Sequence, residues 1–204
     1  MPSRSPRLPS SSRPPVGAAM PTANHWLMKS EPAECSIDDL ARAPGRQLPW
    51  TGVRNYQARN FMRDAMRIGD GVLFYHSSCA EPGIAGLAEV ATAAYPDATQ
   101  FDPQSPYFDA KARPEDPRWL HVDVRHVATT PLLSLKALRA DPAFAGLQLL
   151  RPGNRLSITP VDPADWRAVL QALERLGADG KVLRLGADAK VMRLGADPAR
   201  ARRR

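Results

Sequence analysis

Residues 25–32 have the sequence HWLMKSEP, and this stretch predicts the first strand of the fold. The six residues from His25 to Ser30 are mainly apolar, and the Glu-Pro pair that follows predicts a turn, because proline has no backbone N–H to donate to a sheet. Side chains alternate between the two faces of a strand. Trp26 and Ser30 should therefore lie on one face of this strand and Lys29 on the other.

The rest of the pattern combines short strands with short helices. Further strands are predicted at residues 72–77, 83–92, 120–125 and 156–158. Helices are predicted after Ser36, at residues 55–66, after Ser134 and after Asp162. Residues 94–117 are rich in Pro, Asp and Gln and predict an extended surface loop. Because there is neither βαβ alternation nor a glycine-rich phosphate loop, we expect an α+β fold, a mixed β-barrel with inserted helices.

Both ends of the chain differ in composition from its middle. Residues 1–23 are rich in Pro, Ser and Arg and predict a disordered tail, because such a segment buries too little apolar surface to order itself. Residues 175–204 contain a nine-residue repeat that begins RLGAD at Arg175, Arg184 and Arg193, and they predict a basic, low-complexity tail. The sequence therefore predicts one domain at residues 24–174.

The positive charge of the chain lies in these tails. The 204 residues carry a formal net charge of +7. Residues 1–23 hold three arginines, and residues 175–204 hold nine basic and three acidic residues, which leaves 16 basic and 18 acidic residues, a net charge of −2, in the predicted domain. Basic tails favour sequence-independent attraction to phosphate. The total charge therefore does not by itself identify the domain as a nucleic-acid binder.

The sequence contains no sign of a membrane span, a secretory signal or a metal cluster. No segment approaches the roughly 20 consecutive apolar residues of a membrane-spanning helix, and the N-terminus lacks the apolar core of a signal peptide. Cys35 and Cys79 are far apart in the chain and form no metal-binding pair. We therefore expect a cytoplasmic, monomeric protein with no membrane partner, no metal and no cofactor.

Four segments concentrate polar and aromatic residues beyond what a plain fold requires, namely residues 26–32, 50–60, 74–77 and 81–84. Together with their neighbours they form a collinear set of motifs over about residues 24–170: WLMKSEP, SIDDL, GVRNYQARNFMRD, GDGVLFYHSSC, EPGIAGLAEV, AYPD, FDP, RWLHVDV and LSI. This set resembles the EVE family. The resemblance implies a PUA-like fold, similar to the YTH domains that bind methylated adenine. It also implies non-enzymatic binding of modified bases in DNA or RNA, such as methylated or hydroxymethylated cytosine.

Aromatic residues in these segments are candidates for stacking on a base. A protein that recognises a base modification takes the base out of its stack, sandwiches it and hydrogen-bonds its edge. Stacking on an aromatic side chain contributes about 1–3 kcal/mol per base. The candidates are Trp26, Trp50 and Tyr75. For the two tryptophans the alternative is packing in the core, because a tryptophan on a strand is usually buried.

Polar residues of the same segments are candidates for the edge of the base. Lys29, Ser30, Asn55 and His76 offer donors or acceptors, and Val53 belongs to the same segment as Asn55. Two of these residues have an alternative role. Asn55 also suits the N-cap of the following helix, and His76 also suits a hydrogen-bonded histidine inside a barrel.

Arginines of the segment at residues 50–67 are candidates for the phosphates of a nucleic acid, the partner that the resemblance implies. Arg59 and Arg63 lie four residues apart, on one face of the predicted helix, and Arg54 is nearby. The alternative is a solvated helix face on which the arginines pair with Asp64.

An enzymatic function is the alternative to base binding. Some PUA-like domains hydrolyse acylated bases with a lysine and a glutamate, and Lys29 and Glu31 lie on one face of the predicted strand. Glu89 could approach them across a barrel. A buried lysine beside a carboxylate can act as base or nucleophile. The alternative function is therefore an amidohydrolase acting on an acylated or otherwise modified base or nucleoside.

Overall fold

The structure, a computed structural model, describes residues 24–178. The strands are β1 (His25–Ser30), β2 (Gln47–Pro49), β3 (Gly71–His76), β4 (Gly83–Val90), β5 (Tyr95–Pro96), β6 (Leu120–His121), β7 (Asp123–Ser134) and β8 (Ile158–Pro160). The helices are α1 (Ile37–Arg42), α2 (Tyr56–Asn60), α3 (Leu135–Ala140) and α4 (Pro163–Ala178). Single 3₁₀ turns lie at Pro44–Arg46, Ala98–Gln100, Pro142–Phe144 and Gln148–Leu150, and a π-helical turn at Phe61–Ala65.

Six strands form one mixed sheet in the order β2-β7-β4-β3-β1-β8, and β5 pairs with β6 in a second, two-stranded sheet. β1 and β3 run parallel, with His25 opposite Gly71 and Ser30 opposite His76, so both strands end at the same edge of the sheet. Register shifts in the β4–β7 ladder mark bulges, which bend a sheet. The large sheet curls into a half-barrel flanked by helices, which confirms the predicted PUA-like α+β fold.

Two hydrophobic clusters cover the two faces of the large sheet. β1 contributes Trp26 and Met28 to the first cluster and Leu27 to the second, as strand alternation requires. The first cluster packs against α1 and against the segment that contains α2 and the π-helical turn. The second packs against α4, whose Trp166 is fully buried. The second face is therefore covered by α4.

The helix N-termini follow the capping signals in the sequence. The Ser36 side chain accepts from the Asp39 amide, and Asp39 in turn accepts from the Ser36 amide, a complete capping box. Ser134 accepts from the Ala137 amide at the start of α3. In α4 the side chains of Trp166, Val169 and Leu173 are buried, and the helix runs to Ala178, beyond the predicted domain boundary at residue 174. The predictions for residues 1–23 and for most of the repeat tail lie outside the described residues.

Two predicted elements differ from the observed ones. The helix predicted at residues 55–66 is one turn of α-helix followed by the π-helical turn, and the widened turn still buries Met62 and Met66. The loop predicted at residues 94–117 contains β5 and a 3₁₀ turn, and it folds back onto the Gly52–Arg54 region through hydrogen bonds. Within residues 24–178 no helix combines the length and the apolar character that crossing a membrane requires.

Candidate functional site

A cleft of about 890 Å³ opens where β1 and β3 end. One side is formed by the end of β1 and the turn after it, and the other by the segment 48–55, which we call the cleft wall. The lining residues are Lys29, Ser30, Glu31, Glu34, Cys35, Asp39, the cleft wall, Ser77, Ser78, Tyr107, Val124, Arg155 and Ser157. Its volume lies in the range of small-molecule sites, about 300–1,000 Å³.

Trp50 belongs both to the cleft wall and to the core. Its side chain is only 9% exposed and meets the ring of Phe74 edge-on, with the ring centroids 5.4 Å apart. Its amide donates to the Val122 carbonyl oxygen at 2.9 Å, and Val53 beside it is buried too. The two roles considered for Trp50 from the sequence therefore coincide, since a mostly buried indole forms part of the cleft surface.

Asp97 fixes the cleft wall through hydrogen bonds to two of its residues, Gly52 and Arg54. Its buried carboxylate accepts from the Gly52 amide at 3.0 Å, from Arg54 Nη1 at 2.8 Å and from Thr99 Oγ1 at 2.6 Å. Burial by itself raises the pKa of Asp97, but His121, Arg54 and Thr99 stabilise the charged form and the net result is a pKa below the ordinary value. The wall is thus anchored by a carboxylate that stays ionised.

Tyr107 is a cleft residue that the sequence patterns did not indicate. Its hydroxyl donates to Glu34 Oε1 at 2.9 Å, and its carbonyl oxygen accepts from Arg54 Nε at 2.8 Å, so it connects the two sides of the cleft. Its ring lies directly over Gly52, where a Cβ atom would be 2.7 Å from Tyr107 Cζ. Gly52 also has φ +81°, a conformation that favours glycine. Tyr107 stands in an irregular loop, so no periodic pattern marks it.

Five of the eight predicted base-binding residues line the cleft, and two of them, Trp50 and Val53, have been described above. Ser30 lines the cleft, and its hydroxyl donates to the Cys35 carbonyl oxygen at 2.7 Å. Lys29 also lines it, and burial lowers the pKa of its ammonium group. Asn55 lies there too, but its Oδ1 accepts from the Gln57 and Ala58 amides and caps α2. The capping role is therefore confirmed, while its Nδ2 has no hydrogen-bond partner in the described part of the chain.

Two of the other three predicted residues, Tyr75 and His76, are neighbours on β3. Tyr75 is buried on the opposite face of the sheet, in the cluster under α4, because it alternates with Phe74 along β3. His76 accepts at Nε2 from the Ile37 amide at 3.1 Å, and burial lowers its pKa. Neither residue lines the cleft. Tyr75 therefore cannot serve as a wall for a base there, and His76 has the structural role considered as its alternative.

Trp26, although on the same sheet face as Trp50, also lies away from the cleft. Its indole is buried, and Nε1 donates to Asp70 Oδ2 at 2.9 Å. The core alternative is the observed one for this tryptophan. Trp26 and Ser30 stand at opposite ends of β1, and only the end at Ser30 reaches the opening.

The three arginines predicted for phosphate are engaged to different degrees. Arg54 is committed to Asp97, Thr99 and the Tyr107 carbonyl oxygen. Arg63 forms an exposed ion pair with Asp64 at 2.7 Å, as the solvated-face alternative expected. Arg59 donates to the Arg118 carbonyl oxygen at 2.9 Å but forms no ion pair with any carboxylate among the residues described.

The proposed catalytic set is only partly assembled. Lys29 and Glu31 both line the cleft. Glu89 does not approach them, because it pairs across the sheet with Gly71, next to the start of β1, and bonds to Arg125. The expectation that Glu89 joins Lys29 across the barrel is therefore wrong. The curl of the sheet does not bring the two ends of these strands together.

A curled mixed sheet with flanking helices and a cleft at the ends of its parallel strands defines a PUA-like α+β protein. The EVE domain family model matches residues 24–172, and the chain belongs to the EVE domain family.

Relatives and solved structures support the same assignment. Thymocyte nuclear protein 1 from human is 42% identical over 170 residues, which cover 75% of this chain and 75% of the relative. The structure of a Pseudomonas putida protein is similar with 53% identity and a TM-score of 0.68, covering 73% of this chain and 98% of that one. The structure of human THYN1 in complex with DNA that contains 5-methylcytosine is similar with 41% identity and a TM-score of 0.69, covering 74% and 98%.

Proposed function

We propose that this protein binds a modified nucleobase of DNA or RNA in the cleft, without catalysing a reaction. The candidate bases are methylated or hydroxymethylated cytosine and methylated adenine. The observation that carries the proposal is the cleft at the ends of β1 and β3, with an aromatic residue in its wall, in a chain whose human relative THYN1 has been solved with 5-methylcytosine-containing DNA.

The cleft has the parts that a base needs. Trp50 and Tyr107 place aromatic rings in its lining, and stacking on such a ring is the interaction by which proteins hold an unpaired base. The Lys29 ammonium group and Nδ2 of Asn55 can donate to the carbonyl oxygens and ring nitrogens of a base edge. A base inside a duplex cannot reach such groups, so the proposal includes flipping of the base out of its stack.

A second candidate function is hydrolysis of an acylated or otherwise modified base. It is favoured by Lys29 and Glu31, which both line the cleft, and by burial, which lowers the pKa of the Lys29 ammonium group. A lysine with a lowered pKa is neutral, and hence nucleophilic, over a wider pH range. Among the residues described, the only carboxylates that line the cleft are those of Glu31, Glu34 and Asp39.

The test is a binding titration of the full chain against fluorescent oligonucleotides at physiological salt. The oligonucleotides carry cytosine, 5-methylcytosine, 5-hydroxymethylcytosine, adenine or N6-methyladenine at one position, each as DNA and as RNA. A DNA with thymine there is a matched control, because thymine has the methyl group of 5-methylcytosine but an acceptor in place of its exocyclic amino donor. The mass of each oligonucleotide is measured afterwards.

We expect tighter binding of one modified base than of its unmodified parent, with the oligonucleotide unchanged in mass. Binding of 5-methylcytosine and thymine with equal affinity would mean that the cleft senses only the methyl group. The absence of any preference would contradict base recognition. A change in oligonucleotide mass that is lost in Lys29→Met would favour the hydrolase instead.

A further inference from the structure

Tyr56 is an exposed aromatic residue whose ring is nevertheless held in place. Its side chain is 51% exposed. The ring stacks on Trp119, with the ring centroids 4.9 Å apart and the planes at 30°, and the guanidinium carbon of Arg59 lies 5.0 Å from its centroid. Trp119 is itself buried and donates from Nε1 to Asp109 Oδ2 at 2.8 Å. An exposed ring fixed in this way loses little conformational entropy when a further flat group stacks on it.

Tyr56 directly follows the cleft wall in the chain. Asn55 lines the cleft, and Tyr56 is the next residue in the chain, so their Cα atoms are about 3.8 Å apart. Residue 55 ends the cleft wall and residue 56 begins α2. A nucleotide that neighbours a base held in the cleft would therefore meet Tyr56 first on this side.

The charge next to Tyr56 suits a phosphate. Arg59 forms no ion pair with a carboxylate within the structure from residue 24 to residue 178, and its Nε and Nη1 donate to the neutral acceptors Asn60 Oδ1 and the Arg118 carbonyl oxygen. Arg63, four residues further on, differs because Asp64 holds its guanidinium through two hydrogen bonds. Arg118 lies 3.7 Å from Asp109, so its charge is partly compensated. Arg59 is thus a cation beside Tyr56 that can pair with an anion.

We propose that Tyr56 and Arg59 form a platform for the nucleotide adjacent to the base in the cleft. Tyr56 stacks on the neighbouring base, and Arg59 pairs with the phosphate between the two nucleotides. The proposal rests on the proposed function, and it specifies the ligand further, as a base within an unpaired stretch of polynucleotide and not a free base or nucleoside.

The experiment compares two probes with the full chain, the nucleoside 5-methyl-2′-deoxycytidine and a single-stranded DNA octamer with one central 5-methylcytosine. Tyr56→Ala should weaken binding of the octamer roughly 5- to 150-fold, the loss of one stacked base at about 1–3 kcal/mol. Binding of the nucleoside should not change. Tyr56→Phe should keep the affinity because it keeps the ring, and Ile68→Ala removes a side chain that is 66% exposed elsewhere and is the matched control.

The phosphate contact is tested by salt dependence. Arg59→Ala should reduce the slope of log affinity against log salt for the octamer by about 0.7, the contribution of one phosphate contact to a single strand. Arg63→Ala is the control, and it should leave the slope unchanged because its charge is already paired with Asp64.

The outcomes separate the two proposals. If wild-type protein prefers none of the modified bases in the titration described above, the proposed function fails whatever the variants do; if it prefers one other than 5-methylcytosine, the nucleoside and the octamer carry that base instead. If the preference is present but Tyr56→Ala binds the octamer as tightly as wild type, or weakens the nucleoside and the octamer equally, the platform is wrong and the cleft assignment stands. Thermal unfolding of each variant shows whether a loss of binding reflects a loss of fold.

Discussion

Both ends of β1 have a buried aspartate that accepts hydrogen bonds and an aromatic ring packed over a glycine, yet one end is closed and the other is open. At the start of β1, buried Asp70 accepts from Trp26 Nε1 at 2.9 Å, and the ring of Trp166 lies over Gly71, where a Cβ atom would be 2.7 Å from it. At the cleft, near the end of β1, buried Asp97 accepts from the Gly52 amide, and the ring of Tyr107 lies over the same glycine. The first end is closed core and the second is the cleft.

The difference lies in what covers the aromatic ring. Trp166 belongs to α4, a sixteen-residue helix that seals its side of the sheet, and is 1% exposed. Tyr107 belongs to an irregular loop that touches both sides of the cleft without filling it. A buried carboxylate that fixes backbone donors is therefore compatible with either a core or a site. A core forms where a helix packs over the carboxylate and its neighbouring ring, and a cleft forms where only a loop does.

The largest expected effect is on the closed end. Asp70→Ala leaves the buried indole N–H of Trp26 and the partly buried amides of Asn24 and Arg67 without their acceptor, and an unpaired buried donor costs about 1–3 kcal/mol. We expect the free energy of unfolding to fall by about 3–5 kcal/mol in urea titrations. The folded fraction should keep its preference among bases. Asp64→Ala, which removes an exposed carboxylate, is the control, and an equal loss there would contradict the account.

The next effect concerns acid stability at the open end. The folded pKa of Asp97 is lowered, so the unfolded state binds the proton more readily and stability rises with pH. This contribution is complete above the unfolded value of about 3.9 and is lost as the pH falls below it. Asp97→Asn should be about 2 kcal/mol less stable than wild type at pH 7, because hydrogen bonds to the charged carboxylate are lost. The difference should shrink towards pH 2, and a constant difference across this range would contradict the assignment.

A smaller effect compares two glycines with positive φ. Gly52→Ala and Gly45→Ala should both lose about 1–2 kcal/mol of stability, because both residues have left-handed backbone. A Cβ at Gly45 has no atom within 4 Å, whereas at Gly52 it meets the Tyr107 ring. Only Gly52→Ala should therefore displace Tyr107 and weaken oligonucleotide binding, about tenfold for a loss of about 1.4 kcal/mol. If both variants bind the oligonucleotide equally well, Tyr107 does not contribute to the binding site.

The smallest effect on stability is expected from removal of the Tyr107 hydroxyl group. Tyr107→Phe removes the hydrogen bond to Glu34 and keeps the ring, so the free energy of unfolding should fall by no more than about 1 kcal/mol. Oligonucleotide affinity should stay close to that of wild type, whereas Tyr107→Leu should lose the stacking contribution of about 1–3 kcal/mol. If both variants bind alike, the ring is not a wall of the cleft. Trp50→Ala is a poorer test, because it also leaves a cavity beside Phe74.

Much of the architecture was predictable because its signals are local. β1 was predicted with the observed bounds, and the N-caps at Ser36, Asn55 and Ser134 are present. The motifs that resemble the EVE family were also legible in order along the chain, and the family model confirms them. The 3-residue β2 carries too few residues for a periodic pattern, so it was not predicted.

The candidate site was less predictable, because identical residue types in similar segments have different surroundings. Trp26 and Trp50 share a sheet face, yet Asp70 and the core enclose the first while the second reaches the opening. Arg54, Arg59 and Arg63 differ only in which acceptors lie near them after folding. Neither the spacing nor the composition of the sequence distinguishes the two tryptophans or the three arginines.

The sequence by itself therefore determined the secondary structure around β1, the helix caps and the family, since these depend on residues close together in the chain. The tertiary structure alone decided which tryptophan borders the cleft, that Asp97 and Tyr107 reach across to the cleft wall, and that Arg59 forms no ion pair with the carboxylates of residues 24–178. These properties depend on contacts between residues about 45–75 positions apart, such as Asp97 with Gly52 and Tyr107 with Glu34. Such contacts exist only once the sheet has curled and the loop has folded back onto it.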